Sequence, residues 1–225
     1  MSLLERVAGV LFPARCVFCG AVVPVGMSVC PNCAEKAPRV EEPVCPACGR
    51  GKAFCACRRK FAFSACAAAY YYEDAVKQGI ARLKFHGHQN AAAGFAALAL
   101  PAALRITADG AVDLITAVPL SRNGMRKRGY NQSALFARAL AGHLGLPYAE
   151  TLQKPFDTKP QHTCGGTERW GNVFGAFAVR SDVRSKRILL ADDILTTGAT
   201  LHKCARILML AGAADVRCIT VACVR

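Results

Sequence analysis

Arg187-Ile188-Leu189-Leu190-Ala191-Asp192-Asp193-Ile194-Leu195-Thr196-Thr197-Gly198-Ala199-Thr200 is the stretch whose reading decides the fold. Ile188 to Ala191 is a short, unbroken apolar run, which predicts a strand buried on both faces, as in parallel sheets. Two adjacent carboxylates, Asp192 and Asp193, follow where that strand is expected to end. Thr196 to Thr200 is small and rich in hydroxyls. Leu201, Cys204, Ala205, Leu208 and Ala211 then recur at helical spacing, with Gly212 placed as a C-terminal stop. A Gly-Thr loop alone would be an ordinary capped turn. The full order of strand, acidic pair, hydroxyl loop and helix reads as a phosphate cradle. Amides of the loop and first helical turn converge where the helix dipole is positive, Gly198 permits close approach, and the threonine hydroxyls add donors. Carboxylates beside that spot accept hydrogen bonds from a sugar diol, so a ribose carrying a 5-phosphate meets both demands.

The chain has 225 residues, 53% hydrophobic and 20% charged, enough for one good-sized core and a small appendage. A formal net charge of +14 favours anionic partners: phosphorylated small molecules, nucleic acid or an anionic membrane surface. Met1 to Phe12 carries Glu5 and Arg6 and lacks a clear cleavage site. Ala91–Leu104 is too short to span a bilayer, and Pro101 is expected to kink or end that helix. The expectation is a cytoplasmic protein with no membrane span, in which thirteen cysteines argue for metal rather than disulfides.

The cysteines concentrate at the N-terminal end. Cys16-Val17-Phe18-Cys19 and Cys30-Pro31-Asn32-Cys33 form two Cys-x-x-Cys knuckles, whose four thiolates suit tetrahedral zinc. Cys45, Cys48, Cys55 and Cys57 make a second group that ends in Cys-x-Cys, a tighter spacing compatible with zinc or with a metal-free redox pair. An interleaved arrangement would use the same eight cysteines. Such a segment cannot build a core alone, so metal would supply its folding energy. The division expected is a zinc-binding segment over 1–62 and a main domain over 63–225. Arg50, Lys52, Arg58, Arg59 and Lys60, with Phe54, Phe61 and Phe63, read as a nucleic-acid patch or as a solvated basic surface.

From Ala65 onward strands and helices alternate, which predicts an open, mostly parallel α/β sheet with helices on its faces. Ala65–Tyr72 reads as a strand. Glu73–Phe85 reads as a helix with Val76, Ile80 and Leu83 inward and Lys77, Arg82 and Lys84 outward. His86 and His88 are placed in a turn rather than on a metal. Leu114–Val118 is a second buried strand, closed by Pro119-Leu120-Ser121-Arg122. The basic run Arg126-Lys127-Arg128 then leads into a helix to Leu144, with Leu135, Ala139 and Leu140 on one face. Residues 158–173 read as a polar loop that closes over a labile substrate. His162 and Cys164 lie in it, with nothing else to make them a nucleophilic pair.

These motifs carry a resemblance. Asp192 to Thr200 resembles the 5-phosphoribosyl-1-diphosphate (PRPP) loop of type I phosphoribosyltransferases. That likeness implies that Asp192 and Asp193 hold the ribose hydroxyls, while Thr196, Thr197, Gly198, Ala199 and Thr200 cradle the 5-phosphate. Ser121 and Arg122 lie where such enzymes keep their pyrophosphate loop. Arg128-Gly129-Tyr130-Asn131-Gln132 resembles the Arg-Gly-Phe-Asn-Gln signature of the ComF-type competence proteins, and Gln161, Arg169 and Asn172 match a further pattern of that family. With the Cys knuckles, Leu83-Lys84-Phe85 and Val118-Pro119-Leu120, the resemblance covers nearly the whole chain. It implies structural zinc at one or two sites, and PRPP bound with Mg²⁺. It also implies phosphoribosyl transfer to an unassigned acceptor, with Asp192 and Asp193 as the catalytic carboxylates. DNA uptake, with single-stranded DNA and other DNA-uptake proteins as partners, is the associated process. The rival reading is a non-catalytic single-stranded nucleic-acid-binding protein that keeps the PRPP site as a sensor or a vestige.

Overall fold

The computed structural model describes residues 13–55, 57, 60–85, 88–110, 112–154 and 177–225. A short helix α1 (Pro31–Lys36) precedes the alternating part of the chain: β1 (Ala65–Tyr71), α2 (Asp74–Phe85), α3 (Ala91–Thr107), β2 (Leu114–Ala117), α4 (Arg122–Arg128), α5 (Gln132–Leu144), β3 (Leu152–Gln153), β4 (Ala178–Val179), β5 (Arg187–Leu195), α6 (Ala199–Leu210) and β6 (Asp215–Cys223). Four strands form one sheet in the order β1-β6-β5-β2, and every pairing in it is parallel. β3 and β4 make a separate antiparallel pair. Among the described residues no helix is long and apolar enough to cross a membrane.

The sheet separates two apolar layers. Leu189 and Ala191 of β5, with Ile219 of β6, face α2, α3 and α5, while Ile188 and Leu190, with Val216 and Cys218, face α6. The alternation is that of a strand covered on both sides. β5 is longer than the apolar run suggests. Asp192, Ile194 and Leu195 stay in register with Thr220, Ala222 and Cys223 of β6, so the acidic pair belongs to the strand rather than to the loop after it. At the amino end of the sheet, Arg187 grips Asp113 at 2.6 and 3.0 Å, and Arg217 grips Asp109 at 2.7 Å through two nitrogens. The polar groups of functional interest sit at the opposite, carboxyl end.

Three local details differ from the sequence reading. α3 runs through Pro101 without ending; Pro101 and Ala97 are both exposed, so water can take the carbonyl that the missing N–H leaves free. The basic run forms a helix of its own. Ser121 caps α4 by accepting from the Gly124 amide at 3.0 Å, Gly129 ends it at φ 76°, and Asn131 then caps α5. In α5 the buried stripe is Ala134, Ala137, Leu140 and Ala141 with Phe136, while Leu135 and Ala139 are only half-buried.

The first Cys-x-x-Cys turn is built into the helical layer. Phe18 is fully buried and packs against Tyr70 (ring centroids 5.3 Å apart) and Phe95 (5.8 Å). Two glycines make room for it. A Cβ on Gly79 of α2 would lie 2.4 Å from the Val17 carbonyl oxygen, and one on Gly94 of α3 would lie 2.4 Å from the Val17 side chain. Arg82 donates to the Phe18 carbonyl at 2.8 Å, so this cation, read as outward, instead ties α2 to the turn.

Candidate phosphate-binding site

The eight N-terminal cysteines gather as two sequential quartets: Cys16, Cys19, Cys30 and Cys33, then Cys45, Cys48, Cys55 and Cys57. Within each the sulfur atoms lie within 4.8 Å of one another. Of the two pairings left open by the sequence, the interleaved one is absent. The knuckles repeat one turn: Gly20 N–H donates to the Cys16 carbonyl at 2.9 Å and Gly49 N–H to the Cys45 carbonyl at 2.8 Å. Sulfur–sulfur distances of 3.7 Å for Cys19–Cys30 and Cys45–Cys57, and 3.5 Å for Cys48–Cys55, approach the edge of a zinc–thiolate tetrahedron, about 3.8 Å for bonds of about 2.3 Å. The Cys-x-Cys pair is tighter, with Cys55 and Cys57 sulfurs 3.3 Å apart. Both quartets fit structural zinc. Cys66, Cys204, Cys218 and Cys223 are different: burial pushes their thiols up, which leaves them inert core residues.

At the carboxyl end of β5 the acidic pair is held from several sides. The Ser133 hydroxyl donates to Asp192 Oδ1 at 2.8 Å, and the Asp193 amide donates to the same oxygen at 2.9 Å. Asp193 Oδ2 accepts from Gln132 Nε2 at 2.9 Å and lies 2.9 Å from Lys84 Nζ; the Lys84 side chain is 17% exposed and that of Asp193 is 7%. Burial, reinforced by the neighbouring charge of Asp193, pushes Asp192 up to about 7. One carboxylate is thus paired with a cation, and the other is poised to change charge near neutral pH.

Thr196 and Thr197 are exposed, and Gly198 turns the chain into α6 from the left-handed region, at φ 76°. The N-cap of α6 is Gly198, which has no side chain to cap it, and the Ala199 amide donates to Thr197 Oγ1 at 3.3 Å. A twelve-residue helix therefore presents its first-turn amides beside two exposed threonines. Phe61 closes the loop from behind: a Cβ on Gly198 would lie 2.9 Å from its ring. The position is confined to glycine by backbone conformation and by space.

The residues matched to pyrophosphate binding divide. Arg122 lines a cleft of about 340 Å³ with Asn131, Tyr148, Glu150, Lys154 and Arg180. Ser121 is a helix cap, and Asn131 caps α5 while donating to the Val118 carbonyl at 2.9 Å. Arg128 stacks on Phe85 and donates to Gln132 Oε1 at 2.9 Å, and Gln132 in turn reaches Asp193. Gln161, Arg169 and Asn172, with the loop that carries them, lie outside the described residues, as do His162, Cys164 and His86.

Sequence reasoning missed Lys84 and Ser133 as partners of the carboxylates. Lys84 is four residues after Ile80, at the rim of the buried stripe of α2, and periodicity alone leaves such a residue on the water side. The Tyr130 hydroxyl donates to the Leu83 carbonyl, so Leu83-Lys84-Phe85 and Arg128–Gln132 interlock beneath the acidic pair. Arg50 belongs by sequence to the basic cluster around the second cysteine group, yet its guanidinium donates to the main-chain carbonyls of Val224 and Thr196.

Two family models match the chain. The double zinc ribbon domain matches residues 7–68 and the phosphoribosyl transferase domain matches residues 131–224. The chain is 30% identical over 207 residues to the DNA utilization protein YhgH of Salmonella typhimurium, covering 90% of this chain and 87% of that protein. It is 27% identical over 197 residues to the competence protein ComFC of Bacillus subtilis, covering 83% and 80%. With ComFC of Streptococcus pneumoniae it shares 28% over 195 residues, covering 84% of each. Sulfur quartets in a double zinc ribbon, a parallel sheet of phosphoribosyltransferase type and relatives matched over most of their length place the chain in the ComF family.

Proposed function

We propose that this protein binds PRPP together with Mg²⁺ at the carboxyl end of β5. In this reading Asp192 and Asp193 take the ribose hydroxyls, and Thr196, Thr197, Gly198, Ala199 and Thr200 take the 5-phosphate. The division proposed is a zinc segment over 1–62 and a phosphoribosyltransferase-like domain over 63–225. The observation that carries the reading is the junction itself: one buried and one half-buried carboxylate at a strand end, a turn confined to glycine, and a helix whose N-cap is that glycine, with no side chain to offer its first amides. Mg²⁺ takes oxygen ligands, and the two aspartates offer carboxylate oxygens beside the loop. When bound, the ion would neutralise charge on a departing pyrophosphate. Arg122, in the cleft beyond β2, supplies a further cation for that leaving group, and the aspartates steady positive charge developing on the ribose. The names of the relatives, competence and DNA utilization, support a role in handling incoming DNA, in the cytoplasm and beside other DNA-uptake proteins.

Calorimetry on the parent and on Asp193→Asn, with PRPP and with pyrophosphate, tests the assignment. A carboxylate that accepts from ribose hydroxyls contributes about ten- to hundredfold in affinity, so the variant should lose that much for PRPP. Pyrophosphate should bind it as well as the parent or better, because Lys84 is then unpaired. PRPP binding unchanged in Asp193→Asn sinks the ribose assignment. Pyrophosphate release from PRPP across a panel of acceptor bases decides whether transfer occurs.

A second reading rests on the exposed cations Arg126 and Lys127 at the end of α4 and on the net charge of +14. It makes the protein a binder of single-stranded nucleic acid through phosphates. Affinity that falls steeply with salt and varies little with base sequence supports it; no binding at low salt removes it.

A further inference from the structure

The second sulfur quartet stands against the candidate site through one side chain. Arg50 Nε donates to the Val224 carbonyl at 2.6 Å, and a second guanidinium nitrogen donates to the Thr196 carbonyl. Thr196 opens the phosphate loop and Val224 follows β6, so a single fork spans the carboxyl ends of the two central strands. A planar guanidinium suits that task and a lysine ammonium, a single point charge, does not.

Arg50 is placed by the knuckle that precedes it. Its carbonyl accepts from the Cys45 amide at 2.7 Å, and its own amide hydrogen-bonds Cys48. The same turn is fastened to β1: the Cys66 amide donates to the Pro46 carbonyl at 2.8 Å, and Gly49 bridges to Ala67 so closely that a Cβ would sit 3.0 Å from the Ala67 backbone. Metal in Cys45, Cys48, Cys55 and Cys57 would hold the turn that aims Arg50. The linker makes a second, independent contact with the loop: Phe61 lies under Gly198, and the Ala62 amide donates to His202 Nδ1 of α6 at 3.0 Å.

We infer that Arg50 is a positioning residue for the phosphate loop, and that the second cysteine quartet is the metal-dependent mount that aims it. Zinc in this quartet then sets the affinity for a sugar phosphate without touching it. The inference rests on the phosphate-loop reading above.

The test uses full-length protein carrying both metals, titrated calorimetrically with ribose 5-phosphate and with pyrophosphate, with zinc counted in each sample. Arg50→Ala should keep its zinc, lose roughly tenfold in ribose 5-phosphate affinity, and hold its pyrophosphate affinity within about twofold. Arg50→Lys should not restore the loss. Cys55→Ser should lose zinc from the second quartet and show the same loss, and adding Arg50→Ala to it should cost nothing more, since both act through one contact. Ribose 5-phosphate affinity unchanged in Arg50→Ala overturns the inference while leaving the loop assignment intact. An equal loss for both ligands, or full rescue by lysine, also overturns it, in favour of a general charge effect. A parent protein that binds neither ribose 5-phosphate nor PRPP removes the loop reading and this inference together. Should Cys55→Ser fail to fold, the Arg50 pair still decides.

Discussion

The two cysteine quartets share ligand chemistry and differ in what they lean on. The first, with Cys16 and Cys33 both buried, sends Phe18 into the layer between α2, α3 and β1. The second, in which only Cys48 is buried, lies along β1 and sends Arg50 to the carbonyls at the mouth of the site. The first metal site is joined to the molecule mainly by apolar packing, with Arg82 on the Phe18 carbonyl as its side-chain hydrogen bond, and the second mainly by hydrogen bonds to main chain. The difference teaches that a ribbon's contribution is set by the residues its knuckles project: an aromatic ring projected inward supports folding, and a guanidinium projected at a loop end supports binding.

The largest expected effect breaks the comparison if it fails. Cys16→Ser removes a ligand beside the core, and its thermal midpoint should fall by roughly 10 °C or more, whereas Cys55→Ser should move the midpoint far less. Similar drops in scanning calorimetry would mean that both quartets serve the core equally. Next in size is Phe18→Ala, expected to cost about 3–5 kcal/mol in denaturant unfolding with zinc content unchanged. Phe54 of the second lobe is 44% exposed. Phe54→Ala should therefore cost well under half as much.

A smaller effect concerns the loop alone. Gly198→Ala must adopt φ 76° and push against Phe61, so ribose 5-phosphate affinity should fall about tenfold with a stability loss of roughly 1–2 kcal/mol. Affinity equal to the parent's would show that the loop amides do not hold phosphate.

The smallest effect depends on pH. Asp192 has its folded pKa raised to about 7, above an unfolded value near 3.9. Between those values the folded state binds the extra proton, so stability from this group falls as pH rises and the full cost is reached above about 7. Asp192→Asn should then raise the midpoint at pH 8 by a few degrees, roughly 2–4 °C per kcal/mol regained, and the gain should shrink toward pH 4. A gain that grows on acidification would contradict the assigned cause.

The strand, acidic pair, glycine turn and helix around residue 198 were legible because each has a local signature: an unbroken apolar run, a carboxylate pair, a left-handed position and a 3.6-residue period. The zinc quartets were legible from spacing, although spacing alone left their pairing open. The roles of Lys84, Ser133 and Arg50 were not. Each acts on a residue far along the chain, and nothing in a helical period or a basic cluster says which carboxylate or carbonyl a cation will meet. The extension of β5 through Asp192 and Asp193 was hidden for a related reason: its register with Thr220 and Ala222 is fixed by a strand that no local pattern aligns with it.

That placement of β6 has a consequence for how the chain assembles. Ala65 of β1 pairs with Arg217, and Ile188 of β5 with Val216, so neither strand meets its neighbour in the centre of the sheet until β6 is made. Such distant pairing slows folding. On the ribosome, the knuckles emerge long before the strand that joins the sheet. They can take up metal at once, since thiolate quartets fold by ligation rather than by burial. Phe18 and Arg50 would then wait, already aimed, for the surfaces they meet. Zinc starvation during synthesis should therefore lower the yield of folded protein more than chelation applied after folding is complete.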